Sequence, residues 1–464
     1  MLAILALCSA TAQAADGVRW FTLESAGNRT GYVRLERTDE PGGGTRVSEQ
    51  VVLVLRQLDQ TARVERHVTL RRDSAGAPRE FDYALDSGTV HENWHGKFAG
   101  NTLVLTPASG PAQRIELPDD TRFTPDRSEL LADLRQTPDA AATLTVFDPA
   151  RRSAGPLRVR RIDDATGDAA TWMHLRSGGG AAGGGEDLWF DATGALMRLD
   201  AHVLGATLRW VPCSSDCDAD IATPMDALRS LVVRSPVAIP AEFKHRTLRY
   251  QVSRADGATP QLAATPEQAV SYDGAHAVIT VCDDCGAAET PAADELARYT
   301  AANAWVRSDA PEIRTLALNS APRGARTDYR MQKLVEVVQR RMTGSIDLLG
   351  YADAVTALRS GAGDCTEFAV LLGALARAQG IPTRLVAGLA YSDNFGGHRE
   401  VFGPHMWVQA WDGTRWKSYD AALGEFDATH LALAVGSGAP EDFERLLAQI
   451  PQLRIEKAGA VKAP

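Results

Sequence analysis

Three side chains bear on chemistry by type and placement: Cys365, His405 and Asp420. A thiol, an imidazole and a carboxylate are the parts of a nucleophile, its general base and the group that orients the base. Cys365 stands in Gly361-Ala-Gly-Asp-Cys-Thr-Glu367, just ahead of the apolar run Phe368 to Ala376. Asp364 suits an N-cap, and Glu367 three residues on completes a capping box. Gly380 suits the left-handed position after a helix, and Pro382 prevents its continuation. The body is apolar nearly all round, which predicts a buried helix. Cys365 then sits at the first turn, where unpaired N–H groups and the helix dipole favour the thiolate and could hold an oxyanion. An inert core cysteine is the bland alternative, but it needs neither a capped terminus nor two glycines before it.

The elements that must bring His405 and Asp420 to this thiol follow directly. Ile381 to Tyr391 reads as a strand and Ser392 to Gly403 as a glycine-containing loop. His405 to Trp411 and Thr414 to Asp420 are alternating aromatic runs separated by Asp412-Gly413, a two-residue hairpin signal. With that loop His405 and Asp420 lie directly opposite, on one face, with Cβ atoms ~5 Å apart. The carboxylate could then hold the imidazole tautomer whose other nitrogen faces a nucleophile. A three-residue loop would shift the register by one. Trp407, Gln409 and Trp411 share the face of His405 and read as hairpin packing.

Gly363-Asp-Cys-Thr-Glu367, Gly380-Ile-Pro382, His405-Met-Trp-Val408 and Tyr419-Asp420 resemble the transglutaminase-like superfamily, whose fold is related to papain-like cysteine peptidases. The resemblance covers about Trp305 to Leu433. It implies a cysteine opening a core helix, with histidine and aspartate on adjacent strands. Cys365 is then the nucleophile, His405 the general base and acid, and Asp420 the orienter. The chain departs from the family at Met406, often Ala, and at Ala421, where Pro commonly follows the aspartate; the second leaves the turn after Asp420 open. The resemblance implies no nucleotide or organic cofactor. No calcium-loop pattern is present.

Of the remaining cysteines, Cys8 lies in the N-terminal apolar segment. Cys213-Ser-Ser-Asp-Cys217 and Cys282-Asp-Asp-Cys285 form two close pairs, each after a strand-like run. They could close locally or with each other, or bind zinc as a four-cysteine site; disulfides are the favoured reading in an exported protein. Cys365 is left unpaired. His398 precedes His405 in a charged, glycine-containing stretch and reads as exposed. His430 reads as structural or at the rim. His67, His91 and His95 have no metal-ligand spacing, so no metal site is assigned.

Met1 to Ala14 is apolar and ends Ala12-Gln13-Ala14, the pattern of an export signal cut near residue 14 or 15, although its positive start is missing. An exported, periplasmic or secreted protein is expected. The net charge of −10 and the lack of a Lys/Arg block argue against nucleic acid as a partner. No internal apolar run reaches the ~18 residues of a membrane span. From Trp20 to about Val281 short alternating runs alternate with turns, as in Arg63–Leu70, Asp73–Gly76 and Arg79–Leu85, and again in Glu186–Phe190, Asp191–Gly194 and Ala195–Leu199. The two similar hairpins hint at a duplicated meander. Ser177 to Gly185 reads as a flexible loop.

The expected organisation is multidomain, an N-terminal all-β antiparallel region followed by an α+β transglutaminase-like, papain-like domain. Residues 1–15 form a signal peptide, 16–135 and 136–230 two β-rich domains, 231–290 a β-rich connecting domain, 291–450 the catalytic domain and 451–464 a tail. The expected function is acyl transfer or hydrolysis at amide bonds of protein or peptide substrates by Cys365, His405 and Asp420. The alternative is a non-catalytic transglutaminase-like binding or scaffold protein of the cell envelope. Sequence leaves open hydrolysis against transamidation, the oligomeric state and the role of the β half.

Overall fold

The computed structural model describes residues 17–461, apart from 58–59, 88–90, 109–111, 124–133, 135–140, 150–151, 163–172, 180–184, 204–205, 215–216, 218–222, 227–230, 323, 345–351, 396, 441 and 444–448. The expected signal segment lies outside the described residues. So do most of the central residues of the glycine-rich loop between the paired strands Met173–Gly179 and Gly185–Phe190.

The first half forms a 15-stranded sheet. Successive antiparallel hairpins run from Gly17–Ser25 to Gln113–Glu116, and a second series runs from Ala141–Asp148 to Ala206–Cys213. The last strand returns to pair with the first, with Trp20 opposite Cys213. Alternation explains why: in Pro78–Asp86 the side chains of Phe81, Tyr83 and Leu85 are buried, while Asp82 and Asp86 are exposed. The sheet curls about one apolar core to which both series contribute. Near its open end Arg122 bridges to Val146, and Phe123 stacks on Phe147 at 4.6 Å. The segments expected as separate β domains at 16–135 and 136–230 thus share one sheet and one interior. Neither series closes on itself, so each buries its apolar face against the other.

In the second half a five-stranded sheet is covered on both faces. Its longer strands run in the order His398–Trp411, Thr383–Phe395, His430–Gly436, and Trp416–Tyr419 pairs with the outer edge of His398–Trp411. Helices Pro311–Ser320, Thr327–Arg341, Ala354–Ser360 and Cys365–Ala378 pack on one face, through Leu385, Ala387, Met406 and Val408. On the other face lies a four-stranded sheet of Gln268–Asp273, His276–Val281, Leu248–Arg254 and Leu453–Ala460, which shares a core with Leu389, Phe402 and Leu431. Double coverage is why Thr383 to Tyr391 is buried at every residue instead of alternating.

Three expectations change here. The loop expected over Ser392 to Gly403 is mostly strand, because the hairpin pairs as far as Phe395 opposite His398. The segment 231–290 shares its core with the second half instead of standing alone. Residues 451–464, expected as a tail, include a strand that pairs antiparallel with Leu248–Arg254.

One buried cation joins the halves. Arg152 lies 4.1 Å from the Trp94 ring centre and 4.3 Å from that of Trp305, a cation–π sandwich. Its Nη1 reaches Asp353 Oδ2 at 3.4 Å. Asp353 in turn caps the helix Ala354–Ser360, accepting from the Val355 and Thr356 amides.

Candidate active site

The cysteine helix begins as its sequence dictates. Gly361 ends the preceding helix with φ 64°, where a side chain would be strained. The Asp364 carboxylate accepts from the Thr366 amide at 2.7 Å, and Glu367 Oε2 accepts from the Asp364 amide at 3.0 Å. Glu367 is fully buried, and its Oε1 also accepts from the Ala352 amide at 3.0 Å. Gly363 is required by this closeness, since a Cβ there would stand 2.5 Å from Glu367 Cβ. Cys365 is the first helical residue, half-buried, with the Met406 amide N–H facing its Sγ.

The histidine strand meets Asp420 by a different register from the one expected. Trp411 pairs with Trp416 and Val408 with Tyr419, so the loop is Asp412 to Arg415, not Asp412-Gly413 alone. Asp412 closes it by accepting from the Thr414 and Arg415 amides at 2.7 and 2.9 Å. Two added loop residues slide the register by two, which preserves the face. His405 and Asp420 are therefore diagonal neighbours, and Asp420 lies just beyond the paired residues. Their side chains still meet, with His405 Nε2 2.6 Å from Asp420 Oδ2. The turn after Asp420 is built by the residue itself: Oδ1 accepts from the Ala422 and Leu423 amides at 2.7 and 3.1 Å.

A buried polar strut supports this edge from behind. Glu267 accepts from the Ser418 amide at 3.0 and 3.1 Å and from Gln409 Nε2 at 3.1 Å, while Trp407 Nε1 donates to Ser418 Oγ at 3.2 Å. Trp407 also stacks on His405, with ring centres 6.1 Å apart. Trp407 and Gln409, expected to be hairpin packing, therefore fix the strand that carries the imidazole and the one leading to the carboxylate.

The residue that sequence reasoning underrated is His430. It is buried, and its Nε2 lies 3.1 Å from the same Asp420 Oδ2 that His405 contacts. Its Nδ1 lies 3.1 Å from the Asp427 carbonyl and 3.2 Å from the Asp427 carboxylate. Gly388, opposite His405 on the intervening strand, keeps that face open; a Cβ there would meet the Leu431 carbonyl at 2.0 Å and Trp407 at 3.1 Å. The available signal was Asp427-Ala-Thr-His430 opening an apolar run ten residues after the candidate aspartate.

Electrostatics divide these groups. Burial would raise Asp420, but the charge and hydrogen bond of His405, then those of His430, hold it well below the usual carboxylate range. Burial would lower His430, yet its bonds to Asp420 and Asp427 prevail and hold the ring up at about 9. Burial pushes the Cys365 thiol well above its ordinary value; Asp364 adds to this, the Met406 amide opposes it, and Asp420 and Glu367 add again. The helix terminus expected to favour the thiolate is thus outweighed. The capping box that starts the helix also brings two carboxyl groups to its positive end.

His405, Asp420 and His430 offer ligand atoms within 4.8 Å of one another. Two ligands on one tetrahedral zinc at about 2.0–2.1 Å stand roughly 3.3 Å apart. The 2.6 Å contact is instead the length of a charge-assisted hydrogen bond. Cys213 and Cys217, and Cys282 and Cys285, lie at disulfide distance, each pair closing locally. Cys365 is the free cysteine among the described residues. His398 sits at the far end of its strand, opposite Phe395, seven residues from His405. Among the described residues no helix is long and apolar enough to cross a membrane.

Residues 317–421 match the family model of the transglutaminase-like superfamily, and the chain carries a transglutaminase-like domain there. No curated protein is matched by this chain. Similar solved structures include the periplasmic domain of TgpA from Pseudomonas aeruginosa, at 16% identity and a TM-score of 0.30, covering 61% of this chain and 93% of that one. A candidate cysteine protease from Cytophaga hutchinsonii is 15% identical, with a TM-score of 0.29 and coverage of 47% and 86%. A β-barrel-like protein from Brucella abortus is 12% identical, with a TM-score of 0.34 and coverage of 42% and 95%.

Proposed function

We propose that this chain is an exported thiol enzyme that transfers or hydrolyses acyl groups at amide bonds of proteins or peptides. The observation that carries the reading is the convergence of Cys365, at a capped helix start beside the His405–Met406 backbone, with the His405–Asp420 pair. Asp420 takes His405 Nε2, which leaves Nδ1 for the thiol. In the proposed reaction the Cys365 proton passes to Nδ1 as Sγ bonds to the amide carbonyl carbon. The C–N bond then breaks, the leaving amine takes the proton from His405, and a thioester remains. Water resolves it in a hydrolase, a second amine in a transamidase. The Cys365 amide, one of the first-turn N–H groups that a helix leaves without an intrahelical partner, can face the oxyanion.

The raised thiol is compatible with this role. A solitary thiolate is disfavoured at Cys365, so the nucleophile forms with proton transfer to His405, whose charge Asp420 then stabilises.

Incubation of wild type and Cys365→Ala with peptide mixtures, with and without a labelled primary amine, tests the reading. Mass spectrometry separates cleavage, deamidation and amine incorporation. At least one is expected in wild type and none in the variant. Product-free wild type, or equal product from both, contradicts it.

A further inference from the structure

Asp420 is not a private partner of His405. One carboxylate oxygen, Oδ2, lies 2.6 Å from His405 Nε2 and 3.1 Å from His430 Nε2, and the other is occupied by the Ala422 and Leu423 amides. The two rings stand 5.4 Å apart between centres. His430 belongs to the strand two places from the histidine strand, and Gly388 and Ala390 between them present no long side chain.

We propose that His430 is a positioning residue of the thiol site, acting as a second, cationic partner of Asp420 that divides the carboxylate between two imidazoles. This rests on the acyl-transfer reading above and deepens it.

The geometry supports a charged ring. Both nitrogens of His430 face carboxylate or carbonyl oxygens: Nε2 faces Asp420, and Nδ1 faces the Asp427 side chain and carbonyl. The Asp427 amide N–H also points at Nδ1, the one donor among these groups, but at 3.3 Å it is farther than either oxygen. Phe426 and Trp407 pack around the ring, with centres 5.0 and 5.2 Å away, and so keep water off the pair. The ionisable groups facing it are Asp420, Asp427 and His405. The nearby Tyr250 hydroxyl is engaged with the Ala428 carbonyl at 2.8 Å. Burial works against the charge, but the two carboxylates outweigh it.

A fixed positive charge here has two effects. It gives Asp420 Oδ2 a second anchor beside His405, so the carboxylate stays in place when the imidazole moves toward substrate. It also makes every proton in the Cys365–His405 pair easier to remove, because a cation near the pair favours the less protonated states. Repulsion between unit charges on the His430 and His405 rings, 5.4 Å apart, amounts at an effective dielectric of ~20 to roughly two pH units before screening. The pair titrates as a unit, so the prediction concerns its whole profile.

The test is the rate of Cys365 alkylation by iodoacetamide against pH, followed by intact mass, in wild type, His430→Gln, His430→Asn and His405→Ala. Gln and Asn keep a neutral donor for Asp420 and remove the charge, and thermal melts check that each variant is folded. The inflections of the wild-type profile are expected to move up by about one pH unit in both His430 variants. If those profiles superimpose on wild type while His405→Ala differs, His430 is packing only and this inference is overturned, with the thiol reading intact. If His405→Ala also superimposes, both fall together.

Discussion

A buried imidazole–carboxylate pair stands in each half of this chain, and the one in the C-terminal half lies near the helix start that carries Cys365. In the N-terminal sheet His174 Nε2 meets Asp187 Oδ1 at 2.9 Å, and the ring stacks on Trp189 at 4.4 Å. Asp187 is also held by Arg176 at 2.8 and 3.3 Å. In the C-terminal domain His405 meets Asp420 at 2.6 Å, and the second partner of that carboxylate is another imidazole, not an arginine. The pairs look alike as contacts and differ in what they can do. Both carboxylates thus have a second partner: a permanent guanidinium at Asp187, and at Asp420 an imidazole whose charge is lost only as pH rises through about 9. A buried histidine–aspartate contact is therefore no signature of catalysis by itself. The helix terminus carrying Cys365 makes the difference.

The sharpest way to break this comparison is to neutralise each carboxylate. Asp420→Asn is expected to lower turnover by about four orders of magnitude, since it favours the wrong tautomer and withdraws support from the charged imidazole. Asp187→Asn should leave turnover unchanged in folded protein. Comparable losses in the two variants would show that the proposed division between the halves is false.

Next in size is the joint between them. Arg152→Ala removes a buried cation from between Trp94 and Trp305 and leaves Asp353 without it. Breaking a buried charge pair in this way typically costs about 3–5 kcal/mol. Denaturant unfolding should show that loss, with earlier proteolysis between the halves. A variant as stable as wild type would mean that they are joined by other contacts.

Much of the catalytic half was legible in the sequence, because its signals are local. The Asp364 and Glu367 capping box, the helix from Cys365 and the strand after Pro382 each follow from residues within a few positions. The hairpin register was less legible. Asp-Gly marks the turn, but the Asp412 side chain extends it to four residues, and only the shift by two kept His405 and Asp420 on one face. The His430 contact could not be read, since it joins residues across an intervening strand. The N-terminal half read correctly as hairpins and incorrectly as two domains. Alternation reports which side of a strand is buried, but not which distant strand supplies the other wall of the core.

A smaller effect concerns pH. The His430 ring is raised from 6.5 to about 9 in the fold. A histidine raised in the folded state contributes stability that is fully present below pH 6.5 and lost as pH rises through about 9. Wild type should therefore lose a few °C of melting temperature across that window relative to His430→Gln. Parallel curves would place the ring in its neutral state. Smallest of all, Arg71→Ala in the N-terminal sheet removes half-exposed pairs with Glu40 and Glu80. It should change stability by less than about 1 kcal/mol.

The most direct measurement is the pH profile of Cys365 alkylation in wild type and His405→Ala. Cys365 is the free cysteine among the described residues, so intact mass reports it cleanly once the disulfide pairs are oxidised. Without His405 the thiol keeps burial and the surrounding carboxyl groups, which raise it and prevail over the opposing Met406 amide. The account predicts that the variant alkylates only well above the pH of an ordinary cysteine, about 8.5, while wild type reacts at clearly lower pH. Superimposed profiles would contradict it, because the imidazole would then have no part in forming the nucleophile.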